Sequence, residues 1–423
     1  MDRKSEDAYA DLKAHALVFE ASGRRAAVVC ADIIAFGGAW TDSIRKRLDE
    51  RGVVPAANLL LNASHTHCGP VVENTVYGPY PQYHNPGYAE WLADEIVNLV
   101  QRATEAMFEC ELFHADAPCN VGISRRRLKP DGSLQFGPAV SAPYDPWVRT
   151  LRIVDRDGTV RALLFGYGCH PAAMKGYSLG PDWVGYAREA IEDTIPDCTA
   201  LYMQGFEGDQ RPRNLDGQGN FAEGTVTDLK NLGWQMAQSV LATLTGTARA
   251  VSGETVAGRL AEIRLPLDAP PSRAELDARA TEGDEFDRTW ASRMLKIVDR
   301  KGSLPTSLAM PIQAIRIGNL ILLGLAGEIC IPYDGILRQL IGDRPAILAG
   351  CSNDCVAYIP TDAMLPRGGY EVSGNHTVFF YPAPFTAGVE GAIVEGFAAL
   401  LRATDDRVLS DLTQRKAAEG DRP

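Results

Sequence analysis

Asn58-Leu59-Leu60-Leu61-Asn62-Ala63-Ser64-His65-Thr66-His67-Cys68-Gly69-Pro70 decides how the rest of this chain is read. The apolar run predicts a strand from Asn58 to Ala63, and period-two alternation carried past its end sends His65 and His67 to one face. Two imidazoles so placed suit a divalent cation. A neutral ring offers one nitrogen to a metal and leaves the other for an orienting partner. Two ordinary histidines near a strand end would give the same pattern, so other segments have to decide.

Three more segments repeat the design of an apolar strand that ends in a candidate ligand. Leu163-Leu164-Phe165 precedes His170-Pro171; Ile321-Leu322-Leu323 precedes Gly327-Glu328; Ile347-Leu348-Ala349 precedes Asn353-Asp354 and Tyr358. Strand ends on one side of a sheet are where α/β proteins build their sites. Each residue alone also reads as structural: His170 as a satisfied histidine, Glu328 as a helix-start carboxylate, Tyr358 as core. Their joint arrangement favours a site.

The 423 residues, 45% hydrophobic and 23% charged, suffice for one large globular domain. A net charge of -12 argues against nucleic acid and against docking on anionic lipid, both of which need clustered cations. No apolar window is long enough to span a membrane, and Met1 to Leu12 is charged without a signal-peptide core, so a cytoplasmic protein is expected. Nine cysteines without a Cys-X-X-Cys pair read as free thiols packed as small apolar groups rather than as a zinc site.

Along the chain, strand and helix signals alternate, which predicts a mixed α/β fold. Ala26 to Ile33 reads as a strand; Thr41 or Asp42 would cap a helix ended by Gly52; Asn85-Pro86 opens a second helix. Residues 255–310 are charged and carry Pro270-Pro271, and a single helix from Ser272 to Val298 is expected there, as an insertion or lid or as a packed surface helix. Ile312 to Ile317, Gly318-Asn319 and Leu320 to Leu325 spell a hairpin. A helix near Ala387 to Leu400 closes a domain of residues 1–404, and 405–423 is a charged tail.

These motifs resemble the neutral or alkaline non-lysosomal ceramidases and their bacterial relatives. The resemblance rests on Ser-His-Thr-His-Cys-Gly-Pro at 64–70, Gly-Cys-His-Pro at 168–171, Ala-Gly-Glu at 326–328, and Ser-Asn-Asp with Tyr-Ile-Pro-Thr at 352–361, followed by Gly-Gly-Tyr-Glu at 368–371. It implies one catalytic zinc on His65, His170, Glu328 and Tyr358, with His67 behind them as a hydrogen-bonding partner. Arg125 resembles the family's active-site arginine, whose guanidinium would grip a substrate carbonyl or carboxylate bidentately; with Arg126 and Arg127 it also reads as a solvated basic turn.

The chain departs from the family in Gly208-Asp209-Gln210-Arg211-Pro212-Arg213-Asn214, where Arg211 stands in place of a serine. A guanidinium is no nucleophile and is a poor lining for a lipid tunnel, so a small polar, perhaps anionic substrate is expected instead of ceramide. Asp209 or Glu207 would then serve as general base, and Arg211, Tyr370 and His376 would line the pocket. No immunoglobulin-like domain is expected after residue 405. The function expected first is zinc-dependent hydrolysis of an amide, ester or lactone; metal-assisted lyase or isomerase chemistry on a sugar-like acid, or metal-dependent ligand binding without catalysis, are the alternatives.

Overall fold

The computed structural model describes residues 4–70, 72 and 85–404. The apolar triplets found in the sequence are strands buried on both faces, as parallel strands covered by layers on either side must be. Leu59–Ala63 lies parallel to Arg24–Ala31, which pairs antiparallel with Ala14–Ala21. Leu320–Leu325 lies between Ser307–Ile317 and the parallel strand Ala346–Ala349, with Val256–Pro266 completing that sheet. Val160–Tyr167 lies between the parallel strand Thr199–Gln204 and Trp147–Asp155, in a five-stranded sheet that continues through Cys110–Pro118 to Arg249–Ala250.

Alternation then sorts the side chains into layers. Leu60, Leu322 and Ile347 pack against Leu164, Leu201 and Met203, so the five-stranded sheet faces the other two sheets across one apolar layer. On the far side, Leu59, Leu61, Leu323 and Leu348 meet helices Gly38–Glu50, Pro86–Glu105, Pro332–Ile341 and Val389–Thr404 through residues such as Ile44, Ile96, Leu337 and Phe397. Leu163 and Phe165 point the other way, onto helices Asp182–Thr194 and Val226–Ala242. The result is a four-layer mixed α/β domain whose parallel strands all end near one another. Asn62 fastens them there: Nδ2 donates to Gly350 O (2.8 Å) and Ser352 Oγ (3.1 Å), while Oδ1 accepts from Gln204 N (2.8 Å). Asn62→Leu leaves buried backbone groups unsatisfied and should cost roughly 3 kcal/mol or more, read as a lower urea midpoint at unchanged m-value.

The hairpin is as expected, with Ile317 opposite Leu320. Gly52 takes a left-handed φ of 65°, and Asn85 caps its helix through Tyr88 N (3.3 Å). Other expectations change. The first helix starts at Gly38, without a side-chain cap, because the Thr41 hydroxyl donates to Asn353 O (2.6 Å) across the fold. An edge strand, Ala14–Ala21, precedes what the sequence suggests is the first one. Residues 255–310 begin as a strand, and the single helix expected from Ser272 is two, Arg273–Glu282 and Glu285–Lys301, separated at Gly283-Asp284. Ser272 with Glu275 closes a capping box on the first, and Asp284 caps the second, so each helix carries its own start signal. The expected tail, 405–423, lies outside the described residues.

This helical pair closes a small core of Leu276, Trp290 and Met294, and His376 stands edge-on to Trp290 with ring centroids 5.5 Å apart. His376 therefore packs this subsite instead of lining the pocket. Burial, then Arg279, pulls its pKa down to about 4. The folded state thus binds fewer protons than the unfolded chain between about pH 6.5 and 4. The stability this neutral histidine supports is present above pH 6.5 and lost as pH falls through 4. His376→Phe should flatten that decline by roughly 2 kcal/mol, measured by urea unfolding at pH 7 and pH 4.5.

Among the described residues, no helix is long and apolar enough to cross a membrane.

Candidate metal centre

The strand bearing Leu59–Ala63 ends before the histidines, so pleat alternation is not what brings them together. His65 takes a left-handed φ of 65°, a costly conformation for a residue with a Cβ. Its N–H bonds Ile33 O (3.0 Å), and its Nδ1 lies 2.8 Å from Ile34 O. That turn sets the His65 and His67 rings edge to face, 5.1 Å apart. His170 follows Val160–Tyr167 and is fixed in the same manner, with Nδ1 2.9 Å from Glu207 O and 2.8 Å from Gln210 O. An imidazole whose Nδ1–H is given to a carbonyl presents the Nε2 lone pair on its other side.

Glu328 receives both rings. Its Oε2 lies 3.0 Å from His170 Nε2 and 3.5 Å from His65 Nε2, and all three side chains are only 1% exposed. Gly208 supports this placement, since a Cβ there would lie 2.4 Å from Glu328 O. Tyr358 is the cross-strand partner of Glu328, and its ring stacks at 6.4 Å from that of His170. The ring nitrogens of His65, His67 and His170 fall within 4.8 Å of one another. Lone pairs converging on a buried carboxylate oxygen repel unless positive charge lies among them, and mixed nitrogen and oxygen donors suit zinc or another first-row divalent ion. The residues therefore fit a metal.

The same groups are strongly coupled electrostatically. Burial opposes ionisation of Glu328, but His65 and His170 hold its carboxyl well below the usual range. Burial opposes the charged form of His65 too, and Glu328 overcomes it, raising the pKa. Burial pulls His170 down to about 4. The His67 ring has an exposed face, yet the protein enclosing its other sides, with His65 and His170, holds it well below 6.5.

A second group, His65, Glu207 and Cys351, also falls within 4.8 Å. The Cys351 thiol donates to Glu207 Oε1 (2.9 Å) and lies 3.4 Å from His65 Nδ1, the nitrogen already turned to Ile34. Burial pushes the Glu207 carboxyl up to about 8 and the Cys351 thiol well above its ordinary value. A metal there would have to displace two protons and a backbone hydrogen bond, so the histidine and Glu328 group is the better site.

Arg125 is buried, giving Nε to Glu371 Oε1 (2.7 Å) and Nη2 to Gly208 O (2.7 Å), with its guanidinium 5.0 Å over the Tyr358 ring. The bidentate grip expected on substrate is thus already taken by protein. Arg126 bonds the other oxygen of Glu371, and Arg127 bonds Pro138 O and Gly219 O, so the triplet is not a solvated turn. Asp209 is buried and accepts from Ile331 N (2.8 Å); it braces the segment that follows Glu328 instead of meeting the histidines. Tyr370, 43% exposed, meets Tyr358 edge-on at 5.2 Å. Arg211 bonds Ala172 O beside His170 and lies against the neighbouring rings of Phe136 and Phe221, themselves 5.9 Å apart.

Two participants are not singled out by sequence, Glu371, which neutralises the arginines, and Cys351, expected as mere packing; Glu207, expected as a general base, is buried and bonded by the Cys351 thiol. For Glu207 a signal exists, since it follows the apolar strand Thr199–Gln204 as His170 follows its own.

No protein-family model matches the sequence, and no curated protein matches it. Solved structures do. A ceramidase complexed with C2 superposes with a TM-score of 0.75 at 20% identity, covering 96% of this chain and 71% of that one. The neutral ceramidase from Pseudomonas aeruginosa gives 0.73 at 19% identity, covering 96% and 73%. The chain therefore has a ceramidase-like fold.

Proposed function

We propose that the protein is a metal-dependent hydrolase that cleaves an amide, ester or lactone bond in a small polar substrate. The observation that carries this reading is the buried convergence of His65 and His170 on Glu328, each ring tied back through Nδ1 to the backbone. Zinc or a related ion held by these three, with His67 and Tyr358 at its margin, would supply Lewis acidity toward a carbonyl and make water more acidic. Neutral His67 can accept a proton from the attacking water and return it to the leaving group. Burial and the charge of Glu328 keep the Tyr358 hydroxyl protonated far into the alkaline range, so it can donate to a developing oxyanion. Arg125, held over that ring, adds positive charge on the same side.

A cytoplasmic setting belongs to the same proposal, on the strength of nine cysteines that form no disulfide. Ceramide is not the proposed substrate, because Arg211 occupies the place where the related family has a serine.

The test is turnover of amides, esters and lactones by metal-loaded protein in heavy-oxygen water. Hydrolysis places one solvent oxygen in the product acid. Turnover without solvent oxygen would contradict it and point to metal-assisted lyase or isomerase chemistry.

A further inference from the structure

We infer that the substrate carries a carboxylate bound by Arg211 beside the histidine cluster; the inference rests on the hydrolase reading only for what then happens to the bound molecule. Arg211 lies on the strand Gln210–Pro212, opposite Ile123, and donates from Nη2 to the carbonyl of Ala172, two residues beyond His170. The intervening Pro171 carbonyl accepts the His67 N–H (3.1 Å). One short turn therefore links the guanidinium, His67 and His170.

Arg211 differs from its neighbours in its pairing. Arg125 and Arg126 share Glu371, Arg149 pairs with Asp145 and Asp334, and Arg188 pairs with Asp32. Among the described residues no carboxylate pairs with Arg211, and its Nε is buried without a hydrogen-bond partner. Burial, then the charge of Arg125, lowers its pKa, and the more distant carboxylate of Asp182 opposes this only in part. Holding Ala172 O needs only a neutral donor, which would avoid desolvating a charge.

What surrounds Arg211 suits a planar anion. Phe221 and Phe136 lie 5.2 Å and 5.7 Å from its Cζ, and Phe136 also lies 5.4 Å from that of Arg125. The two rings lie 5.9 Å apart and so flank the guanidinium from one side, and the in-plane N–H edge of a guanidinium matches a carboxylate. N-acyl amino acids, with a carbonyl for the metal centre and a carboxylate for Arg211, are the class that fits.

The experiment compares N-acetyl-L-phenylalanine with N-acetyl-L-phenylalaninamide by calorimetry on zinc-loaded protein, wild type, Arg211→Met and Arg211→Lys, with zinc content and thermal midpoint confirming each variant. Wild type should bind the carboxylate roughly 10- to 100-fold more tightly; Arg211→Met should erase the preference and Arg211→Lys keep part of it. Equal affinities in wild type, absent binding of the carboxylate, or a preference surviving in Arg211→Met, which would place the carboxylate on the metal, each overturn the inference. Acetate release is scored separately. Preferential binding without release contradicts hydrolysis and leaves carboxylate recognition standing; release from both compounds with equal kcat/KM does the reverse.

Discussion

Glu328→Gln should lose its bound metal and at least about a thousandfold in turnover, because both histidine Nε2 atoms face this carboxylate. Even residues that only support metal ligands typically cost 10- to 100-fold in affinity or activity, and a ligand lost from the first coordination sphere costs more. An amide keeps the shape but removes the charge, and it can turn an N–H toward His170 Nε2, satisfying without metal the lone pair the carboxylate leaves exposed. The protein should therefore stay folded, separating loss of metal from loss of structure. Metal analysis after dialysis, with circular dichroism as control, reads the outcome. A folded Glu328→Gln protein that retains stoichiometric metal would contradict the assignment.

Tyr358→Phe should keep the metal and lose about 100- to 1000-fold in kcat with little change in KM, the usual effect of removing one oxyanion donor. Protonation of the hydroxyl decides its role. Burial first, then the charge of Glu328, raises the hydroxyl pKa far above its ordinary value, and Arg125 opposes this only in part. A hydroxyl so held is a hydrogen-bond donor and a weak metal ligand. The resemblance to ceramidases implies a ligand, and the two roles separate in one variant: loss of metal from Tyr358→Phe would make it a ligand, while retained metal with low kcat makes it a donor.

Much of the fold could be read from apolar runs, since strands covered on both faces must be continuously hydrophobic. Leu59-Leu60-Leu61, Leu163-Leu164-Phe165 and Ile321-Leu322-Leu323 are such strands, and the ligands named after each do meet. What local pattern does not hold is distance. Thr41 looks like a helix cap until Asn353, far along the chain, claims its hydroxyl; Cys351 looks like packing until it meets His65 and Glu207. Asp209 and Arg125 carry the right chemistry for a site, yet Ile331 N and Glu371 already occupy them. The break at Gly283-Asp284 is written as a glycine followed by a capping residue, which the expectation of one helix from Ser272 to Val298 passes over. The edge strand Ala14–Ala21 is mostly half-buried and lacks the continuous hydrophobicity that marks the inner strands.

We place the metal on imidazole nitrogen and carboxylate oxygen, on the Nε2 side of His65. X-ray absorption at the metal edge of zinc-loaded protein tests it most directly. The account predicts a shell of nitrogen and oxygen at about 2.0–2.2 Å with imidazole scattering and no sulfur. A sulfur shell at about 2.3 Å would put the ion with Cys351 and Glu207 instead and contradict the account.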